Sequence, residues 1–471
     1  MRKLPLLLSL LAGPLTGCAQ MPGAHGIAQA PPSAAVATQT AASQEAAMPQ
    51  DTGDRRLLGN GKIKHVVIIF QENRSTDNLF NGLPGADTQP YGLNSNGDRI
   101  QLQPIRLTGP YDIDHSHVSF ETAFDGGRMD GFNLERSSEH CLVRHGCPSK
   151  ATRAYAFVPR DEVKPYFDMA EEYAFGDRMF ASQAGPSFPA HQYILSGEST
   201  IAPGSPLRAS ENPLTPEQHF TGGCDSPSGS LVTLIDAEGT EDQEVYPCFD
   251  RPALTALLEA KGLTWHYYQA HLGAGLWNAP DAIRRVRYGS HFSTDVVGPP
   301  SQVLYDVKHG TLANVVWVTP TAEASDHAGV TDGTGPSWVA SVVNTIGESQ
   351  YWDSTAVLVT WDDWGGWYDH VKPLQYNSYE LGFRVPLIVI SAYAKKAYVS
   401  HRRHEFGSLL KFTEKALGLK SLGTTDARAD DLADCFNFAG KPRRFTPIAS
   451  RLGPDYFLRQ PVSARDPDDD F

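Results

Sequence analysis

The chain has 471 residues, 41% of them hydrophobic and 10% aromatic, enough apolar material for one large α/β domain with insertions or two ordinary domains. Its formal charge of -14 argues against non-specific nucleic-acid binding, because phosphate backbones are held by surplus Lys and Arg. No nucleic-acid partner is therefore expected, and a neutral or locally screened substrate fits better.

Residues 1–18, "MRKLPLLLSLLAGPLTGC", carry Arg2 and Lys3, then an apolar stretch too short to span a bilayer, then small residues before Cys18. This reads as a secretory signal. The ending "LTGC" resembles the bacterial lipoprotein box, in which Cys18 receives lipid and becomes a membrane anchor; an ordinary signal peptide with an incidental cysteine is the alternative. Ala19 after the cysteine resembles the pattern sent on to an outer membrane. The expected localisation is thus export, as an outer-membrane or periplasmic lipoprotein, tethered or released. Residues 19–58, rich in Ala, Gln, Pro, Ser and Thr, read as a disordered tether.

From 59 to about 450 the sequence alternates strand-like and helix-like segments. The runs "KHVVIIF" (64–70), "LTWHYYQ" (263–269), "LANVVWVTP" (312–320), "STAVLVTW" (354–361) and "RVPLIVISAY" (384–393) predict strands buried on both faces of a mainly parallel sheet. Helices are predicted within 160–173, 251–262, 335–349 and 405–418, which makes a three-layer α/β/α sandwich the expected fold. The segment 200–250 lacks long apolar runs and reads as an insertion, either a cap over the site or an inert loop. Residues 451–471, ending in "RDPDDDF", read as a polar tail.

Three of the runs end in acids or histidines, where side chains at the carboxyl ends of sheet strands leave the core. Glu72 and Asn73 follow the first run, Asp326 and His327 the run at 312–320, and Asp362 and Asp363 the run at 354–361. Oxygen donors of this kind suit a single hard divalent cation. In "TWDDWGGWYDHV" the acid pair is followed by a Gly365-Gly366 turn and by Asp369-His370, with His370 read as a support for the metal loop or as structural. Trp361, Trp364 and Trp367 surround the pair, as pocket walls or as core.

Ser187, between Gly185-Pro186 and Pro189, is the candidate nucleophile, held in a rigid turn before a helix expected near Pro189; a helix cap is the competing role. Arg74 is a candidate phosphate ligand or a salt-bridge partner for the nearby acids.

In this order, the motifs "ENRSTDNLFNG", "GGRMDGF", "GPSFPAHQYILSG", "EASDHAG", "DDWGGWYDHV" and the stretch from "GFRVPLIVISAY" to "KALGL" resemble the phosphoesterase family, over residues 62 to 420. That family contains bacterial phospholipases C and acid phosphatases within the alkaline-phosphatase-like fold. The resemblance implies a phosphoric ester hydrolase acting on a small phosphate ester or a phospholipid. It places the metal ligands on Glu72, Asn73, Ser187, Asp362 and Asp363, with Ser187 also the nucleophile of a phosphoseryl intermediate. It places the phosphate-binding and catalytic histidines on His115 and His327, with His266 as a weaker third. The sequence departs from the family pattern at Thr76, Ala190-His191, Asp363 and Ala328, and a Ser rather than a Thr at 187 looks more like the acid phosphatase branch.

For an exported chain the remaining cysteines are expected to pair as Cys141 with Cys147 and Cys224 with Cys248, leaving Cys435 over. A zinc site built on cysteines is disfavoured because no Cys-x-x-Cys pair occurs. Two other readings stand beside ester hydrolysis. One is a sulfatase-like or phosphonate hydrolase, which lacks its Cys-x-Pro-x-Arg pattern near Ser187; the other is an inactive lipid-anchored binding protein of the same fold.

Overall fold

The structure is a computed structural model that describes residues 57–138, 141 and 147–463. The signal segment, Cys18, nearly all of the tether and the acidic end "RDPDDDF" lie outside the described residues. Among the described residues no helix is long and apolar enough to cross a membrane.

The core is an eight-stranded sheet. Its strands are β1 (His65–Gln71), β2 (Ala174–Gly176), β3 (Trp265–Tyr268), β4 (Val296–Val297), β5 (Val315–Val318), β6 (Thr355–Trp361), β7 (Leu387–Ser391) and β8 (Tyr398–Ser400). In space they run in the order β4-β3-β5-β1-β6-β7-β2-β8. β1 pairs in parallel with β5 on one side and β6 on the other, while β7 runs antiparallel to both of its neighbours. The predicted strands are all present, and β5, β6 and β7 are buried along their whole length, as Val- and Ile-rich runs covered on both faces must be.

Helices α1 (His117–Phe124), α2 (Lys164–Glu172), α3 (Ser187–Ser196), α4 (Leu254–Ala260), α5 (Gln302–His309), α6 (Gly335–Gly347) and α7 (Phe406–Leu417) complete the main body. α6 packs on α2 and α5, and α3 packs on α4 and α7. The strand alternation of β1 separates the two groups: the Phe70 ring meets Phe406 and His191, whereas Gln71 donates to the Tyr166 hydroxyl of α2. Helices therefore cover both faces of the sheet, giving three layers.

The insertion at 200–250 folds into a lobe of its own. Arg208–Ala209, Val232–Ile235 and Gln243–Val245 form a small antiparallel sheet, and Cys224 is bonded to Cys248. Its apolar cluster includes Val232, Leu234, Phe249 and Trp277 together with Phe188 of α3, so the lobe is seated on the helix that begins with Ser187. Cys141 is bonded to Cys147, and Cys435 is unbonded and buried.

The polar tail expected from 451 is in part folded. Pro454–Leu458 forms a short helix, α8, whose Phe457 is buried with its ring 5.3 Å from that of Trp338. Phe457 anchors it, with Leu452 and Tyr456 partly buried against the core beside it.

Candidate active site

β1 ends between its two parallel neighbours, and the backbone ties all three together: Glu72 N donates to Ser325 O at 2.9 Å, and Asp362 N donates to Gln71 O at 3.1 Å. This brings Glu72, Asn73, Asp362, Asp363 and the loop of His327 to one crevice at the carboxyl edge of the sheet. All of them are buried. Asn73 has φ of 59°, a left-handed conformation that Asn tolerates better than most residues. Its backbone N donates to Asp362 Oδ1 at 2.9 Å, and its side-chain amide lies 3.1 Å from Asp363 Oδ2 and 3.0 Å from His115 Nε2. Gly365 is required beside it, because a Cβ there would stand 2.3 Å from Asn73 O. The Gly365 N–H donates to Asp363 Oδ1 at 2.7 Å.

Ser187 is the first residue of α3, two residues earlier than the helix start expected near Pro189. It does not cap the helix. Its Oγ points at Glu72 Oε2, 3.4 Å away. Pro186 at the cap position has no side-chain oxygen, and Asn212 from the insertion supplies one instead, accepting from Phe188 N at 2.9 Å.

One turn on from Ser187 is His191, which the sequence marked only as a departure from the family pattern. The spacing of four residues puts both on one helix face, which is the signal that would have found it. His191 Nε2 lies 3.1 Å from Glu72 Oε1, and its ring stacks on Trp277. Burial lowers its pKa to about 4, against the raising influence of Asp362.

His115 and His327 have ring centres 5.9 Å apart. In each, Nδ1 is bonded to a backbone carbonyl, Ile113 O at 2.9 Å and Ala328 O at 2.8 Å, which makes Nε2 the nitrogen that gains and loses a proton. His115 also packs against Trp364. Asp326, next to His327, has φ of 79° and a carboxylate oxygen that accepts from the Tyr166 hydroxyl at 2.7 Å, Gln71 Nε2 at 3.2 Å and Trp361 Nε1 at 3.2 Å. Burial raises its pKa to about 6 despite these donors.

Two sequence expectations for phosphate binding do not fit the geometry. Arg74 is fully buried, with Nε and Nη2 on Asp326 O at 2.9 and 2.7 Å, Nη2 on Leu107 O at 2.7 Å and Nη1 on Asn78 Oδ1 at 3.2 Å. Its hydrogen bonds go to backbone carbonyls and the Asn78 side chain rather than to a carboxylate, and Asp326 and Asp112 act on it only through their charge. His266 sits in β3 with Nδ1 2.8 Å from the Tyr268 hydroxyl and 3.9 Å from Asp306 of α5, away from Ser187. Strand alternation turned it to the other side.

His370 belongs to a neighbouring polar cluster. Its Nδ1 is 2.6 Å from Asp77 Oδ2 and its Nε2 3.1 Å from Asp87 Oδ1; burial lowers its pKa, but Asp77 and Asp369 outweigh that and raise it. Arg384 donates to both oxygens of Asp369 at 2.8 and 3.1 Å. No feature of the sequence pointed to Arg384; it reaches this edge because β7 runs antiparallel to both neighbours. Trp361, Trp364 and Trp367 are all fully buried in core packing rather than lining an open pocket. A cavity of about 190 Å³ near Thr321, Trp338 and Phe457 contains none of the residues of this crevice.

A divalent cation fits the crevice. Asp362 Oδ2 and Asn73 Oδ1 are buried without a hydrogen-bond partner, a costly state that a cation would relieve. Ligand atoms of Glu72, His191 and Asp362 lie within 4.8 Å of one another.

The sequence profile of the phosphoesterase family matches residues 63–420. A non-hemolytic phospholipase C of Pseudomonas aeruginosa is 25% identical over 82% of this chain, which spans 58% of that relative's length. Phospholipase C B of Mycobacterium tuberculosis is 24% identical over 82% of this chain and 80% of its own. A solved protein of the alkaline phosphatase superfamily from Vibrio parahaemolyticus aligns over 79% of this chain and 69% of its own, at 10% identity and a TM-score of 0.35, too distant to bear on the assignment. With the profile covering most of the main body, the chain belongs to the phosphoesterase family.

Proposed function

We propose that the protein hydrolyses phosphate esters through Ser187, as a phospholipase C or an acid phosphatase acting on a phospholipid or a smaller ester. The observation that carries this reading is the approach of Ser187 Oγ to Glu72 Oε2, beside Asp362 and two histidines whose Nδ1 atoms are already committed. The relatives named phospholipase C support the ester class.

A divalent cation held by Glu72, Asn73, Ser187, Asp362 and Asp363 would supply charge neutralisation for the phosphate and acidify a nearby hydroxyl. Ser187 Oγ loses its proton along the line toward Glu72 Oε2 as it attacks phosphorus from the side opposite the leaving group. The bond from phosphorus to the leaving oxygen breaks. That alkoxide takes a proton from Nε2 of His327, while His115 stays paired with the Asn73 amide beside it. Water gives a proton to the now neutral ring and attacks phosphorus, the bond to Ser187 Oγ breaks, and Oγ takes back the proton held by Glu72. The paired Cys224 and Cys248 accord with an oxidising compartment, and lipid on Cys18 would hold the enzyme at a membrane.

The test is hydrolysis of p-nitrophenyl phosphate and p-nitrophenyl phosphorylcholine by the full chain, beside Ser187→Ala, with and without chelator. Both Ser187→Ala and chelation are expected to abolish turnover, and the preferred ester separates phosphatase from phospholipase. Turnover that survives Ser187→Ala rejects the nucleophile.

A further inference from the structure

The environment of His191 holds an unresolved pairing. The Tyr267 hydroxyl donates its hydrogen to Trp277 O at 2.8 Å, so toward His191 it offers a lone pair. His191 Nδ1 lies 3.3 Å from that hydroxyl oxygen and must be the nitrogen that carries hydrogen. In a neutral ring the lone pair is then on Nε2, and it faces the carboxylate oxygen Glu72 Oε1 at 3.1 Å. His191 Nε2 and Glu72 Oε1 thus face each other inside a fully buried site, with Asp362 beside them. Two adjacent donors on one metal, each about 2.1 Å from it, stand about 3 Å apart, as these two atoms do. Asp362 Oδ2, buried and unpartnered, completes the set.

We propose that His191 Nε2 is a ligand of the cation held by Glu72 and Asp362, making this a mixed nitrogen and oxygen centre suited to a transition metal such as Zn²⁺ or Mn²⁺. The inference rests on the reading of this crevice as a metal centre and changes its ligand set. A purely oxygen site favours Mg²⁺ or Ca²⁺, whereas an imidazole shifts preference toward zinc and its neighbours. The Tyr267 hydroxyl acts behind the ligand, fixing the tautomer as the partners of metal-bound histidines do.

The test uses the full chain stripped of metal by chelator and titrated with Mn²⁺, Zn²⁺ and Mg²⁺, beside His191→Gln and His191→Ala. Pulsed electron paramagnetic resonance of the Mn²⁺-loaded protein reads directly bound nitrogen. The expected result is nitrogen coupling in the wild type, its loss in both variants, and Zn²⁺ affinity lowered about ten-fold or more, with Mg²⁺ affinity little changed. Mn²⁺ bound by the wild type without nitrogen coupling, or coupling that persists in both variants, overturns the assignment and leaves the metal centre standing. A wild type that binds none of these ions overturns the metal centre and this inference together. The wild-type spectrum decides even where a variant fails to fold, and His191→Gln retains most of the side-chain volume.

Discussion

The Arg74 guanidinium is wholly enclosed, and burial lowers its pKa to about 10, so it stays charged at neutral pH. Its fork reaches two carbonyls, Leu107 O and Asp326 O, and so fixes the loop that carries His327. Lysine has the charge but not the planar fork, so Arg74→Lys leaves one buried carbonyl unpaired, at a cost of about 1–3 kcal/mol. The expected outcome is a lower melting temperature and a kcat reduced about ten-fold through displacement of His327, with KM for the ester nearly unchanged. A residue that bound phosphate would instead raise KM, and steady-state kinetics separate the two. For His327→Ala itself, loss of a hydrogen-bond donor to the transition state predicts a fall in kcat of about a hundred-fold with little effect on thermal unfolding.

The first turn of α3 shows how an element depends on a distant one. Pro186 cannot cap it, and Asn212 of the insertion lobe supplies the missing acceptor to Phe188 N. Asn212→Ala is expected to cost about 1 kcal/mol, as other lost caps do, and to lower kcat because Ser187 opens the same turn. Calorimetry and kinetics on one preparation check both; a lobe that were an inert loop would leave kcat unchanged. At the same carboxyl edge of the sheet, the reversal of β7 delivers Arg384 to Asp369 with neither side chain exposed. Arg384→Met strands that carboxylate in the interior and is expected to destabilise by about 3–5 kcal/mol in denaturant unfolding.

At the scale of the whole molecule, stability should respond to pH through carboxyls held away from water. Glu211, at the join of the insertion lobe and α1, has its pKa pushed up to about 8, by burial first and then by Glu241. The folded state thus keeps a proton that the unfolded chain has lost above about pH 4.5, and stability falls as pH rises from there through about 8. Glu211→Gln is expected to flatten that slope and to raise the melting temperature at pH 8 by about 1–3 °C, read by calorimetry at both ends of the window. The sequence by itself determined the order of strands and helices, the acids at the ends of β1 and β6, the two cysteine pairs and the family, because periodicity, turn residues and motif order are local properties of the chain. It also named Ser187, His115 and His327, which the fold brings to one crevice. Only tertiary structure decided that β7 runs backwards, that α8 docks on α6, that Arg74 clamps a loop, that His266 faces away and that His191 faces Glu72. A strand's direction and a side chain's partner depend on which distant segment packs against it, and no spacing along the chain encodes that contact.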